Sequence, residues 1–428
     1  MTGPAEPVTR RYAWLVFALS FGLLLSDYMS RQVLNAVFPL LKAEWALSDA
    51  QLGSLSGVVA LMVGVLAFPL SLLADRWGRV RSLVVAAVVW SLATLGCAVS
   101  ASYGQMFLGR FMVGVGEAAY GSVGIAVVLS VFPARLRATL SGTFIAGGAF
   151  GSVLGVSAGG VLAQHVGWRW TFAAMGLFGL ALAAVYGIVV TDRKTASTDA
   201  GTGGAPDTER PLRTLLPRLF SPVSVLCAYV GSGLQMFLAM ALLAWMPSFL
   251  DRSYGLAPAE AGLAAGAFAL ITGVGMVGGG MVCDRLGRRN AQLKWTVALV
   301  CSAGSLILLT AGFHLPPGAP QLVLVGLGTL LSNATAGPAA AMVVSLTPAA
   351  VAATAMATLT LANSLLGLAP GPAVTGILAD HLGLPAALRI IPLVSLVAGS
   401  AFALGRRHHD KGLVPLPGRA LRESELPT

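Results

Sequence analysis

Asp27 and Glu117 fall near the middle of apolar stretches long enough to cross a bilayer, and each has an arginine on its own stretch. Arg31 follows Asp27 by four positions and Arg110 precedes Glu117 by seven. An ionisable group at that depth costs about 3 kcal/mol or more unless it faces a polar cavity or a partner of opposite charge. Carboxylates so placed can take up and release protons, and arginines so placed can attract an anion or tune the carboxylates. In the first stretch Arg31 lies one turn, ~6 Å, from Asp27; in the fourth, Glu117 lies two turns, ~10 Å, from Arg110 on the same face. If the two stretches run antiparallel, both put an acid near mid-depth and an arginine nearer the outside. The spacing therefore predicts a charge cluster between them, with Glu117 and Asp27 as proton acceptors and Arg31 and Arg110 as anion-binding or carboxylate-tuning cations. The competing reading is a pair of static intrahelical salt bridges, which rarely stabilise more than apolar packing would.

The elements that must hold this cluster follow from composition. With 56% hydrophobic and 10% charged residues the chain is no ordinary soluble domain, which carries roughly 25% charged residues. Apolar runs recur along almost its whole length, predicting an all-α polytopic membrane protein of twelve transmembrane helices. The spans centre near residues 26, 63, 91, 118, 150, 180, 236, 271, 303, 334, 365 and 396. The first run is too long, and lacks the small-residue cleavage pattern, for a signal peptide.

The net charge of +10 is a topology signal. Arg31 and Arg110 lie in spans, and Lys42, Arg169, Arg252 and Arg389 at outer ends. The remaining basic residues fall in the N-terminus, the even-numbered inter-span loops and the C-terminus. This bias predicts a bacterial inner (plasma) membrane protein with both termini cytoplasmic, and nucleic acid as a partner is excluded. The cysteines (Cys97, Cys227, Cys283, Cys301) have no ligand spacing and read as packing residues. No nucleotide loop, metal set or nucleophile constellation is present in the sequence, so neither an enzyme nor a cofactor is expected.

The polar stretch 191–221 divides the chain into an N-terminal six-helix bundle (1–190) and a C-terminal one (222–405), followed by a cytoplasmic tail (406–428). Each half repeats one signature. Asp75-Arg76-x-Gly78-Arg79 recurs as Asp284-Arg285-x-Gly287-Arg288, and the outer segment KAEWALSDAQLG (42–53) is echoed by DRSYGLAPAEAG (251–262). Parallel repeats imply a pseudo-two-fold axis along the membrane normal and a site between the halves near the midplane.

Twelve spans, a central linker and a duplicated Gly-x-Leu-Ala-Asp-Arg-x-Gly-Arg loop resemble the major facilitator superfamily, with Ser71 replacing the usual first glycine. The duplicated loop reads as a conformational latch whose aspartate caps the following helix and pairs with arginines across its half. Arg110 with Gly114, Gly116 and Ala118 resembles the family's fourth-helix motif, whose buried arginine is linked to proton coupling. Residues 26–57, GRFMVGVGEAAY (109–120) and GWRWTF (167–172) resemble its spinster-like and organic anion:proton symporter branch. That likeness places Tyr28, Arg31 and Glu117 on matching positions. The branch's first-helix acid would fall on Ser30, with Asp27 displaced by nearly one turn. It also brings Tyr120 into the substrate-binding set with Tyr28 and Ser30.

In the fifth span Gly151, Gly155, Gly159 and Gly160 match the superfamily's antiporter ladder, but Val156 replaces its proline; plain helix packing is the commoner use of such a ladder. Pro370 and Pro372 should bend the eleventh span. The C-terminal half has no acid within a span, so Gln235, Asn333 and Asn363, with Tyr229 and Ser332 beside them, are the candidates for shaping the substrate site. Trp245 reads as a membrane-interface anchor.

These expectations converge on a proton-coupled secondary transporter of a small organic anion, a carboxylate, working by alternating access as a monomer. Its partners are the substrate, protons and the lipid bilayer. One alternative is a proton-driven exporter of a drug, siderophore or lysolipid-like amphiphile. Another is a non-transporting membrane sensor.

Overall fold

The computed structural model describes residues 9–118, 120–191, 223–287, 290, 292–347 and 352–408. Most of the 191–221 linker and the tail beyond His408 therefore lie outside the described residues, as does Arg288. Among the described residues the secondary structure is helical, with no strand. The helices are α1 (Arg10–Trp45), α2 (Asp49–Trp77), α3 (Arg79–Ala98), α4 (Tyr103–Glu117), α5 (Tyr120–Ser130) and α6 (Ala134–Val189). The chain resumes with α7 (Val223–Tyr254), α8 (Pro258–Gly287), α9 (Leu293–His314), α10 (Ala319–Asn333) and α11 (Ala336–Leu346). It ends with α12 (Ala352–Asn363), α13 (Pro370–Leu382), α14 (Leu384–Ile390) and α15 (Val394–Arg407).

Eleven helical segments among them are long and apolar enough to cross a membrane. One of these, Thr139–Val189, has 51 residues. A straight helix of that length would reach ~75 Å, far beyond a hydrocarbon core of ~30 Å. It is broken at Gly167, whose φ of 80° and ψ of 163° leave the helical region. A residue with a β-carbon is strained at that positive φ, so glycine is what allows the turn.

Other irregularities coincide with polar residues of interest. The α4–α5 break begins at Glu117 and the α10–α11 break at Asn333. After Asn363 comes a π turn, Ser364–Leu368, in which the Ala369 N–H donates to the Ser364 carbonyl at 3.0 Å. Pro370 and Pro372 lie just beyond it, where the sequence predicts a bend.

The buried apolar side chains fall into separate cores. At the end carrying the Trp45–Asp49 turn, which the charge bias of the loops predicts to be the outer one, one core joins the two halves of the sequence. It runs through Phe38, Leu52, Phe172, Trp245, Phe249 and Leu388. At the opposite end the halves keep their own cores, one around Trp90, Tyr120 and Tyr186 and one around Trp295, Met342 and Phe402. Among the described residues the halves thus share an apolar core at the first end and keep separate ones at the other. Two helix pairs make the outer closure: α2 against α13 and the first part of α6 against α8.

Trp245 belongs to this closure rather than to a lipid interface. It is fully buried, its Nε1–H donates to the Pro372 carbonyl at 3.0 Å, and its ring lies 5.3 Å from that of Phe38. An indole in the middle of an apolar run can anchor at a bilayer surface or fill a core, and here packing between the halves decides.

The repeated loops lie at the inner end. Gly78 sits between α2 and α3 with φ 99°, and it is the N-cap of α3. Asp75 lies in the last turn of α2, and the cap expected from its side chain falls outside the described residues. Arg76, Arg79, Asp284 and Arg285 are all exposed, and Gly287 closes α8 against the Lys294 side chain.

Candidate functional site

The sequence places an acid and an arginine on α1 and again on α4; the fold crosses the pairs. The Arg31 guanidinium donates from Nε (3.0 Å) and Nη2 (2.7 Å) to one oxygen, Oε2, of Glu117. Its other face lies over the Tyr28 ring, 5.3 Å from the centroid. The Asp27 carboxyl is a near neighbour of both Glu117 and Arg31 and feels the charge of each. Asp27 and Glu117 are 4% and 3% exposed, whereas the Arg31 side chain retains 13%. Among the described residues, Asp27 Oδ1 and Glu117 Oε1 have no hydrogen-bond partner. A buried carboxylate oxygen without a donor is costly, so it marks a place for a proton, water or a ligand group.

The arrangement therefore holds two acids and one arginine in a single buried cluster. Fully ionised it carries one net negative charge, and a single proton makes it neutral. Because Arg31 spends its hydrogen bonds on Glu117, an arriving anion must compete with that carboxylate for the guanidinium.

Arg110 departs from its expected role. It is fully buried and donates to main-chain carbonyls: Nη1 to Ser30 (2.9 Å), Nη2 to Arg31 (3.1 Å) and Nε to Leu55 (3.4 Å). Helix carbonyls have a second lone pair to offer, and a planar guanidinium can reach several at once. Arg110 thereby ties α4 to α1 and α2 and holds the backbone of the residue that carries the Arg31 side chain. Arg110 is spent on the main chain, while Arg31 keeps a partly exposed guanidinium.

Two other residues of the substrate set face packing. The Ser30 hydroxyl turns back to the Asp27 carbonyl at 2.9 Å. The Tyr120 hydroxyl donates to the Ser20 carbonyl at 2.6 Å, and its ring packs edge-on against Trp90. Tyr120→Phe should therefore cost about 1 kcal/mol of stability. It should leave the substrate KM of reconstituted protein unchanged; a severalfold rise would put the hydroxyl back at the substrate.

The fifth-span glycines serve packing as well. A β-carbon at Gly151 would stand 2.7 Å from the Tyr28 Cβ, and one at Gly155 2.8 Å from the Met29 Cα. Gly159 faces Val33, while Gly160 meets Pro258 and Gly262 of α8. The ladder lets α6 sit directly behind the charged stretch of α1.

On the other half, Gln235 Oε1 accepts from the Ser332 hydroxyl at 3.0 Å, and its Nε2 has no partner among the described residues. Asn363 Oδ1 is likewise unpartnered at the head of the π turn. Asn333 instead donates to the Thr329 carbonyl at 2.8 Å, and Tyr229 to the Ala355 carbonyl at 3.3 Å. Gln235 and Asn363 thus keep free hydrogen-bonding atoms, while Asn333 and Tyr229 hold helices.

Sequence reasoning missed an outer network. Asp49, 2% exposed, receives both Arg252 nitrogens, Nη1 and Nη2, at 2.7 Å each and Lys42 Nζ at 2.6 Å. The only signal was that Lys42 and Arg252 break the charge bias of the loops.

Comparison with known proteins gives a consistent picture. The model of the Major Facilitator Superfamily matches residues 20–370 and 246–424. The chain is 27% identical over 422 residues to protein spinster homolog 1 of Xenopus laevis, covering 91% of this chain and 79% of that protein. It is also 27% identical over 331 residues to the gallate transporter of Pseudomonas putida, covering 70% and 71%. A crystal structure of a bacterial homolog of the human lysosomal transporter spinster, inward-facing and unoccupied, superposes with a TM-score of 0.85. It covers 95% of this chain and 99% of that one at 18% identity, a likeness of fold.

Proposed function

Since the chain belongs to the Major Facilitator Superfamily, whose matched members here are transporters and not enzymes, we propose that it carries a small organic anion, a carboxylate, together with protons by alternating access. The observation that carries this reading is the buried Arg31–Glu117 bond, with the buried Asp27 as its electrostatic neighbour. A proton on Glu117 removes the competitor for Arg31 and frees the guanidinium for the substrate carboxylate. With Asp27 protonated as well, the cluster carries one positive charge, which the substrate carboxylate neutralises, and a neutral site is the one that crosses a low-dielectric barrier at least cost. Gln235 and Asn363 offer a donor and an acceptor to the uncharged part of the substrate, with Tyr28 beside the cation.

The twelve-span, two-bundle layout belongs to the same proposal. Counting α6 as two spans about Gly167 makes twelve of the eleven long segments, and the separate inner cores support bundles over 1–190 and 222–405. The loop charge bias supports a bacterial inner membrane with both termini cytoplasmic. In that orientation the closed end faces outward and the exposed loop residues Arg76, Arg79, Asp284 and Arg285 face the cytoplasm. The Asp75 and Asp284 loops would then act as a latch that engages when the inner side closes.

The test is proton movement in proteoliposomes with a pH dye trapped inside and a panel of aromatic and sugar acids outside. At least one acid should change the internal pH, and the sign separates symport from exchange. If no acid does, while amphiphilic cations or lysolipids dissipate an imposed pH gradient, the carboxylate reading fails and export replaces it. Binding of an acid without movement of either species would identify a sensor.

A further inference from the structure

The echo between residues 42–53 and 251–262 has a structural meaning at the hydrogen-bond level. At the start of α2, Ser48 and Gln51 form a reciprocal capping box: the Gln51 N–H donates to Ser48 Oγ (3.1 Å) and the Ser48 N–H to Gln51 Oε1 (3.0 Å). That leaves the N–H groups of Asp49 and Ala50, which nothing in their own half satisfies. They donate to Asp380 Oδ1 (2.6 Å) and Oδ2 (2.9 Å), at the end of α13 in the other half. At the start of α8 the Ala257 N–H donates to Glu260 Oε2 (3.4 Å), Pro258 has no N–H, and the Ala259 N–H donates to Gln164 Oε1 (2.9 Å) on α6. Ala50 and Ala259 hold equivalent places in the two repeats, as do Gln51 and Glu260.

Three residues further on, Gly53 and Gly262 are equivalent too. Gly53 abuts the Pro372 carbonyl, and Gly262 stands against Gly160. Each repeat thus builds a helix start that caps itself in part, leaves a first-turn N–H bare, and has a glycine one turn on that lets a helix of the other half approach closely enough to supply the acceptor. Helix first turns need such acceptors, and an anion there also meets the positive end of the helix dipole.

We propose that the Ser-Asp-Ala-Gln-Leu-Gly segment (48–53) and the Ala-Pro-Ala-Glu-Ala-Gly segment (257–262) form a two-fold outer latch, closed by Asp380 and Gln164 capping α2 and α8 across the halves. The two sides differ in charge. The α8 side is a neutral amide cap. The α2 side adds the Asp380 carboxylate and the Asp49–Arg252 bond, so it carries the larger share of the closure. The latch concerns the outer ends alone and depends on the alternating-access reading only for which step its release serves.

The test uses the full chain in lipid nanodiscs with spin labels on Ala101→Cys and Ala319→Cys, exposed outer-loop positions of the two halves; the native cysteines are buried. The wild type should show mainly the short outer distance. Asp380→Ala and Gln164→Ala should each raise the ratio of long to short distances about fivefold, the equilibrium equivalent of one typical N-cap. The double variant should give about 25-fold if the two sides are independent. Unchanged distances in the folded double variant would overturn the proposal. If the double variant does not fold, the single variants at these exposed positions decide it in the same way. The readout needs neither substrate nor proton. A chain that moves no acid yet opens on Asp380→Ala keeps the latch and loses the transport reading; the reverse result separates them the other way.

Discussion

Glu117→Gln abolishes substrate-driven proton movement in proteoliposomes, down to the background of empty vesicles, while the protein remains folded and exchanges substrate across the membrane. This is the expected result if Glu117 is the group that gains and loses the coupled proton. Glutamine has nearly the same volume and still offers an oxygen to Arg31, so packing at the α1–α4 contact changes little. What is lost is charge: the bond to Arg31 becomes one between an ion and a neutral amide, and the Coulomb attraction of the carboxylate for the guanidinium goes with it. Arg31 is then available to the anion without a proton, so apparent affinity should become insensitive to pH and exchange should survive. Asp27→Asn is the companion measurement. It removes the second acid and leaves the Arg31–Glu117 bond, and so should weaken coupling without abolishing the pH response. If Glu117→Gln moves protons like the wild type, Glu117 is not the coupling site and the pair with Arg31 is structural.

Arg110→Ala lowers the melting temperature of the detergent-solubilised protein, by about 2–4 kcal/mol of stability, and loosens the Arg31 site along with it. The substitution removes a donor to three carbonyls on α1 and α2 and leaves a cavity in a tight three-helix contact, two of the costs that produce effects of this size. An opposing term exists, since a buried guanidinium without a carboxylate in contact is expensive to desolvate and alanine relieves that cost. The carbonyls win because Arg110 donates in three directions from a rigid plane. Arg110→Lys, a flexible single point of charge, should recover only part of the loss. A melting temperature equal to or above wild type for Arg110→Ala would show the reverse balance. Substrate KM should rise in the lysine variant as well, because the main chain that carries Arg31 is no longer held.

Much of the molecule was legible in the order of residues alone. Repeated apolar runs demand membrane helices because a bilayer core satisfies no main-chain group, and the duplicated Asp-Arg-x-Gly-Arg, with the echo of Ser-Asp-Ala-Gln-Leu-Gly in Ala-Pro-Ala-Glu-Ala-Gly, reveals two related halves. That Asp27, Arg31 and Glu117 would cluster followed from the depth of ionisable groups, since charges in hydrocarbon must find each other. The pairing within the cluster did not. Spacing along one helix offers Asp27 to Arg31 and Arg110 to Glu117, yet the structure bonds Arg31 to Glu117 and sends Arg110 into the backbone. Helix periodicity states which residues share a face, but the rotation and approach of the neighbouring helix decide which of them a guanidinium reaches.

The same limit hid the packing roles of Tyr120 and Trp245, whose polar tips find main-chain carbonyls on other helices. It hid Asp380 as well, an ordinary residue at a helix end until α2 is brought against it. Composition, repeat and burial cost are properties of the chain and are written in its residues. Partner choice among buried polar groups is a property of distances between helices, and only the assembled structure sets those.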